Sequence, residues 1–148
     1  MVTAVLASLS LFAQAFAGTW TCYSQGYRVP WRIEAAPGDA WASVRWGDQT
    51  SDRGGIAYVG YVLQLKKWVY RDFHYDGTYS DITSPGPAGK AWTWSGPYYG
   101  NGRIWRGAVV WTLSSANRID RTFESQTKGS LSPTGRDYCV RNAGAGHS

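Results

Sequence analysis

Gly18-Thr19-Trp20-Thr21-Cys22-Tyr23 near the start of the chain and Tyr138-Cys139-Val140-Arg141 near its end contain the two cysteines. In an exported protein an even pair of cysteines reads as a disulfide. If Cys22 and Cys139 face each other on antiparallel neighbours, the same register sets Trp20 opposite Arg141, two residues further along. A guanidinium over an indole is worth ~0.5–2 kcal/mol. The first and last strands then pair, and a sheet whose two ends pair is closed. That favours a barrel over a two-sheet sandwich, the other architecture open to a chain of short strands. Two free thiols are the alternative state of the cysteines.

The export reading comes from the N-terminus. Met1 to Ala17 carries no charge, and Ala4 to Ala17 is almost entirely apolar or small. It ends Ala15-Phe16-Ala17, whose small residues fit a signal-peptidase site with Gly18 as the new N-terminus. The run is shorter than the ~20 apolar residues that cross a bilayer. No Lys or Arg precedes it, and a buried N-terminal helix is the alternative. The expected layout is a signal peptide over 1–17, a barrel over 18–141 and a flexible tail over 142–148. The expected location is secreted or periplasmic, with no transmembrane segment.

Composition agrees with a β-domain. The chain has 148 residues, enough for one domain with a sizeable core. It carries 9 Trp, 10 Tyr and 18 Gly, while charged residues are 17% against a usual ~25%. Disordered chains are poor in aromatics and rich in charge. Helical bundles need helix formers that are scarce here, whereas Tyr, Trp, Val and Thr favour strands. The net charge of +5 is scattered rather than clustered along a face, which argues against nucleic acid, including an OB-like single-strand binder.

Alternation of apolar and polar residues marks the strands. Tyr27-Val29-Trp31-Ile33 alternate with Arg28-Pro30-Arg32-Glu34, and Trp41, Val44 and Trp46 follow. Ile56–Lys66 is a further run. Trp68-Tyr70-Asp72-His74 share one face, with Val69-Arg71-Phe73-Tyr75 on the other. Asp76-Gly77 is then a hairpin turn into Thr78–Thr83. Ser84–Gly89 reads as a loop, Ala91–Ser95 as a strand and Gly96–Gly102 as a turn region. Ile104–Leu113, Ile119–Ser125 and Tyr138–Arg141 complete the set. The expected fold is all-β, an antiparallel up-and-down barrel of about 8–10 strands.

Gly18-Thr19-Trp20 resembles the Gly-x-Trp signature of the calycins, the lipocalin-like barrels. That resemblance implies that Trp20 closes the barrel base and that a late-strand Arg packs across it, with Arg141 the match and Arg121 the second choice. Thr93-Trp94-Ser95-Gly96-Pro97-Tyr98 and Val110-Trp111-Thr112-Leu113-Ser114 resemble the avidin branch, where a Thr-Trp-Ser-Gly strand and a later Trp line the biotin pocket. Avidins hold the ureido group with Asn and Ser just after the first Trp. Here those positions read Thr21-Cys22-Tyr23, and no match for the late avidin Asp is present, so biotin binding is not implied. The chain is also similar to uncharacterised exported bacterial proteins that begin Gly-Thr-Trp-x-Cys and end with a Cys-x-Arg strand.

Trp31, Trp46, Trp68, Trp92, Trp94 and Trp111, with Tyr70, fall at positions compatible with an inward face. A small barrel is either filled by its side chains or holds one small ligand. Trp and Tyr offer flat apolar walls with a polar edge. The expected role is therefore binding a small apolar or aromatic molecule, with a filled structural or surface-interaction barrel as one alternative. Sugar binding, favoured by Tyr98-Tyr99 in a Gly-rich loop, is a variant. A second alternative is a small hydrolase or other enzyme using His74 beside Asp72 and Asp76, since a carboxylate can tune a His for acid–base work. No Gly-x-Ser-x-Gly elbow accompanies it. Haem held by His74, with Tyr75 or Tyr79 nearby, lacks a supporting pattern. No cofactor and no metal site is expected; His147 lies in the tail. Arg121, between Ile119 and Phe123, could point inward and hold a ligand carboxylate bidentately. With Arg118, Asp120 and Glu124 it could instead belong to a surface ion-pair ladder.

Overall fold

The structure, a computed structural model, describes residues 11–48, 53–127 and 129–144. Its strands are β1 (Gly18–Ser24), β2 (Tyr27–Ala35), β3 (Trp41–Trp46), β4 (Gly55–Val62), β5 (Lys67–His74) and β6 (Tyr79–Ser84). They continue with β7 (Pro87–Ala88), β8 (Ala91–Gly100), β9 (Arg103–Ser115), β10 (Arg118–Thr127) and β11 (Ser130–Arg141). Sequential strands pair antiparallel; β1 pairs with β11, and β6 pairs with β8 across the short β7. The result is the expected closed up-and-down barrel, with ten main strands and β7 as a two-residue annex.

Closure follows the register set by the cysteines. Cys22 faces Cys139 and forms a disulfide with it, and Trp20 faces Arg141. The Arg141 guanidinium carbon lies 4.1 Å from the Trp20 ring centre, and Trp20 is fully buried. Arg141 also donates from Nε to the Ala116 carbonyl at 3.1 Å and from Nη1 to the Ala17 carbonyl at 2.5 Å. Asn142 extends this closure: its N–H donates to the Thr19 carbonyl, and its side-chain oxygen accepts from Thr21 Oγ1. The expected tail is therefore tied to β1 at its first residue. Residues 145–148, including His147, lie outside the described residues.

Several strand limits differ from the expected ones. β4 stops at Val62, because residues 63–66 form a turn with Lys66 at φ 53°. The loop expected over Ser84–Gly89 contains β7. Gly96–Gly102 is not a turn region, since β8 runs through to Gly100 and only Asn101-Gly102 turn. Gly96 has φ 152°, and a Cβ there would meet the Asp81 carbonyl oxygen at 2.6 Å. Glycine thus marks close backbone approach inside a strand rather than a break in it. β11 begins at Ser130, well before Tyr138. Its first half is polar, carries Pro133 and includes an extra residue at the Phe123/Glu124 register shift, so no clean alternation marks it.

The expected leader is described from residue 11 onward. Residues 11–16 form a short helix, and Phe12 and Phe16 are buried against the barrel core, as in a buried N-terminal helix. Among the described residues no helix is long and apolar enough to cross a membrane.

The disulfide spans 117 residues, so in the chain-entropy model it stabilises the fold by about 4–5 kcal/mol. Replacing both cysteines with alanine should lower the unfolding free energy by roughly that amount in a urea titration. A loss below about 1 kcal/mol would show that β1–β11 closure holds without the covalent link.

Candidate functional site

The barrel interior contains a partly open cavity of about 750 Å3. Its position follows from alternation: inward residues of β2, β3, β5, β8, β9 and β10 converge on it. Trp31 and Trp46 are direct cross-strand partners and stack at 5.4 Å with a 24° tilt. Trp111 meets Trp31 edge-on at 5.8 Å, and Tyr70 packs against both Trp94 and Trp111. The walls are thus flat and aromatic, suited to a planar apolar group.

Of the expected ligand-binding residues, Trp31, Trp46, Trp94, Trp111, Tyr70 and Arg121 line this cavity. Trp68 and Trp92 are buried but belong to the other end of the interior, where Trp68 packs edge-on against Trp92 at 5.1 Å. The aromatic set is therefore divided between the cavity and a packed base.

Arg121 points inward, as one of its two expected readings required. Its guanidinium donates from Nε and Nη2 to the two Asp137 oxygens, at 2.8 and 2.6 Å. Both residues are over nine-tenths buried, and they are direct partners across β10 and β11. The guanidinium carbon also lies 4.4 Å from the Trp31 ring centre. The bidentate face expected for a ligand carboxylate is already taken by Asp137. Arg121 instead holds a neutralised cation against the aromatic wall, its remaining N–H groups not used by that pair. Arg118 and Asp120 form the surface ion pair, at 3.0 Å.

The second polar group is Asp72, also buried. Ser80, its partner on β6, donates to Asp72 Oδ1 at 2.8 Å, and His74 Nε2 lies 3.3 Å from Oδ2. His74 itself sits edge-on to Trp46 at 5.1 Å, at the cavity wall. Asp76 does not join them. It is exposed in the hairpin turn, where its Oδ1 accepts the Thr78 N–H at 2.8 Å. Nor do Tyr75 and Tyr79 accompany His74: Tyr75 is exposed, and Tyr79 packs with Phe73 and Tyr99. Ser80 donates to the carboxylate rather than to the His, so the order needed to activate a serine nucleophile is absent from this trio. Among the described residues no three His, Cys, Asp or Glu side chains converge to hold a metal ion.

Burial opposes the charged form of His74, but the hydrogen bond and charge of Asp72, with Asp76 behind it, outweigh that and raise its pKa. Burial, then the nearby Asp72 charge, pushes the Tyr98 hydroxyl up to about 12 and raises the Tyr70 hydroxyl as well. Both phenols therefore remain protonated at neutral pH. Trp94 adds a donor of another kind. It is fully buried, and its Nε1–H has no hydrogen-bond partner among the described residues. An unpaired buried donor costs about 1–3 kcal/mol, which a bound acceptor would recover.

Alternation placed the inward tryptophans, but Asp137 and Ser80 were missed as site residues, and Tyr98, expected only as a sugar-binding residue in a loop, lies on β8 and lines the cavity. Asp137 lies in the unread half of β11, and Tyr98 in the stretch read as a turn. The register signal existed for Asp137 alone: continuing the β10–β11 hairpin back from Ile119 and Cys139 sets it opposite Arg121.

Compared with known proteins, the chain matches no family model and no curated sequence.

Two predictions test this geometry. Asp137→Asn leaves Arg121 buried without its counter-charge and should cost about 3–5 kcal/mol of stability, while Arg121→Met with Asp137→Leu should recover most of it. An unchanged urea midpoint for Asp137→Asn would remove the buried pair from the account. A raised His pKa adds stability that is full below the unfolded pKa and is lost as pH rises through the folded one. The native chain should therefore gain stability over His74→Gln from pH 8 down to pH 5. A His74 pKa below 6.5 by NMR titration would reverse the sign.

Proposed function

We propose that the chain is an exported, calycin-like barrel that binds a small, partly apolar aromatic molecule in its interior. The observation that carries this is the open cavity of about 750 Å3 walled by Trp31, Trp46, Trp94 and Trp111. Ligand pockets span roughly 300–1,000 Å3 and combine apolar walls with a few placed polar groups. The placed groups here are the Tyr70 and Tyr98 hydroxyls, the Arg121–Asp137 pair and the Asp72–His74 pair. Their charges largely cancel, which favours a neutral ligand with one or more hydrogen-bond acceptors over a simple fatty acid. Trp20 beneath Arg141 at the closure supports the calycin resemblance. The buried disulfide supports passage through an oxidising compartment, secreted or periplasmic.

Coumarin, a fused planar ring with a carbonyl acceptor, is a suitable first probe. Titrated into the full chain, it should quench tryptophan fluorescence saturably. Trp46→Ala should weaken binding at least tenfold, about 1.4 kcal/mol, with the fold intact by circular dichroism. Equal affinity in the native chain and in both Trp46→Ala and Trp31→Ala would place the probe outside this cavity and count against the proposal.

A further inference from the structure

The base of the barrel is closed by a segment that precedes the strands and is held to them by two hydrogen bonds, from Trp20 Nε1 to the Phe16 carbonyl at 2.9 Å and from Arg141 Nη1 to the Ala17 carbonyl. Residues 11–16 form a short helix ending just before β1. Phe12 and Phe16, four residues apart, stand on one helix face and are buried to 1% and 0% exposure. The Phe12 ring lies edge-on to Trp92 at 5.6 Å and to Trp94 at 6.0 Å. Phe16 lies edge-on to Trp92 at 6.0 Å and to Trp111 at 5.5 Å. The two rings thus fill an aromatic box. The box belongs to the barrel: Trp92 faces Trp111 across β8 and β9, and Trp92 stacks on Trp94 at 5.8 Å.

Four further points bear on this segment. The β1–β11 ladder, the disulfide and the Trp20–Arg141 stack all lie after Ala17. The cut expected from Ala15-Phe16-Ala17 falls between the two phenylalanines and the barrel. Gly18, at that junction, has φ 134°, and a Cβ there would lie 2.5 Å from Arg141 Nη1, so the chain passes under Arg141 only as glycine. Finally, the Trp94 N–H has no partner among the described residues even with both rings in place. The segment meets the apolar demand of the box and leaves its polar demand unmet.

We infer that residues 12–16 occupy space that belongs to the ligand, and that the chain cut before Gly18 folds with that space open. Hydrolysis of the Ala17–Gly18 amide during export, with water adding OH to the Ala17 carbonyl carbon and H to the Gly18 nitrogen, removes the segment before folding, and with it the Phe16 and Ala17 carbonyls that accept from Trp20 and Arg141. The vacated box joins the open cavity through Trp94 and Trp111, which line both. The ligand class is a molecule with two phenyl-sized apolar groups and a hydrogen-bond acceptor between or beside them. This rests on the ligand-binding reading above and adds its depth, shape and trigger.

The test compares two forms of one sequence: the folded product exported by a secreting cell, and the full chain made where no signal peptidase meets it and then oxidised. The probe is 4-benzylphenol, two rings and a hydroxyl, followed by tryptophan fluorescence and native mass spectrometry. The exported form should begin at Gly18 and bind the probe at least tenfold more tightly than the uncut chain. Trp92→Ala, which alters the box but not the lining of the open cavity, should cost the exported form at least tenfold. Trp92→Leu provides a second variant if alanine unfolds the chain. Equal affinity of the two forms would overturn the inference, as would an exported chain still carrying Phe12 and Phe16. Binding lost in Trp46→Ala but kept in both Trp92 variants would overturn it while leaving the open-cavity reading standing. No binding of either coumarin or 4-benzylphenol to the exported form would overturn both.

Discussion

The pairing of the first strand with the last governs everything inside this barrel. A ten-strand sheet left open would expose two edges and leave its aromatic face without an enclosure. The Cys22–Cys139 bond fixes that pairing at one register, and the side-chain period of two then decides every inward position on β1 and β11. Trp20 fills the base, and Arg141 covers it while donating to carbonyls at Ala17 and Ala116. Cys139 in turn sits opposite Ile119, which places Arg121 opposite Asp137 two steps along the same ladder. One covalent constraint thus reaches from the closure to the polar centre of the cavity.

That centre combines costs with uses. A buried ion pair is weak evidence for stability, because desolvation offsets most of its attraction. Arg121 and Asp137 could be exchanged for apolar residues at little cost to folding, so their presence in a tryptophan-walled space speaks for a polar requirement of the cavity. The Asp72 group has the same character: one buried carboxylate shared between Ser80 and His74, beside two phenols kept protonated by burial. A solely structural interior would be filled more simply by branched aliphatic side chains. The indole N–H of Trp94, buried and unpaired among the described residues, is the clearest departure from a fully satisfied core.

Much of this was legible in the sequence because period-two patterning is a strong signal when one face is buried. The strands bearing Trp31, Trp46, Tyr70, Trp94 and Trp111 all carry it, and their inward positions follow from it. The closure was legible through Cys22 and Cys139, which supply a register as well as a bond. The unread parts share a physical cause: their pairing rests on backbone hydrogen bonds rather than apolar alternation. Residues 130–137 are polar, bulged and interrupted by Pro133, yet they complete the sheet and carry Asp137. Gly96-Pro97 resembles a turn, but glycine is required there by close approach to the Asp81 backbone. Asp76 shares the parity of Asp72 and His74, but the strand ends at His74, and parity has no meaning beyond a strand's end.

A binding interior and a filled core differ in what the folded chain carries. Native mass spectrometry of the chain purified from its own export compartment, set against the same sample denatured, addresses it most directly. A ligand-holding barrel should show a reproducible excess mass of a few hundred daltons in the native spectrum, lost on denaturation. Two identical bare masses, in preparations whose disulfide is intact, would contradict it.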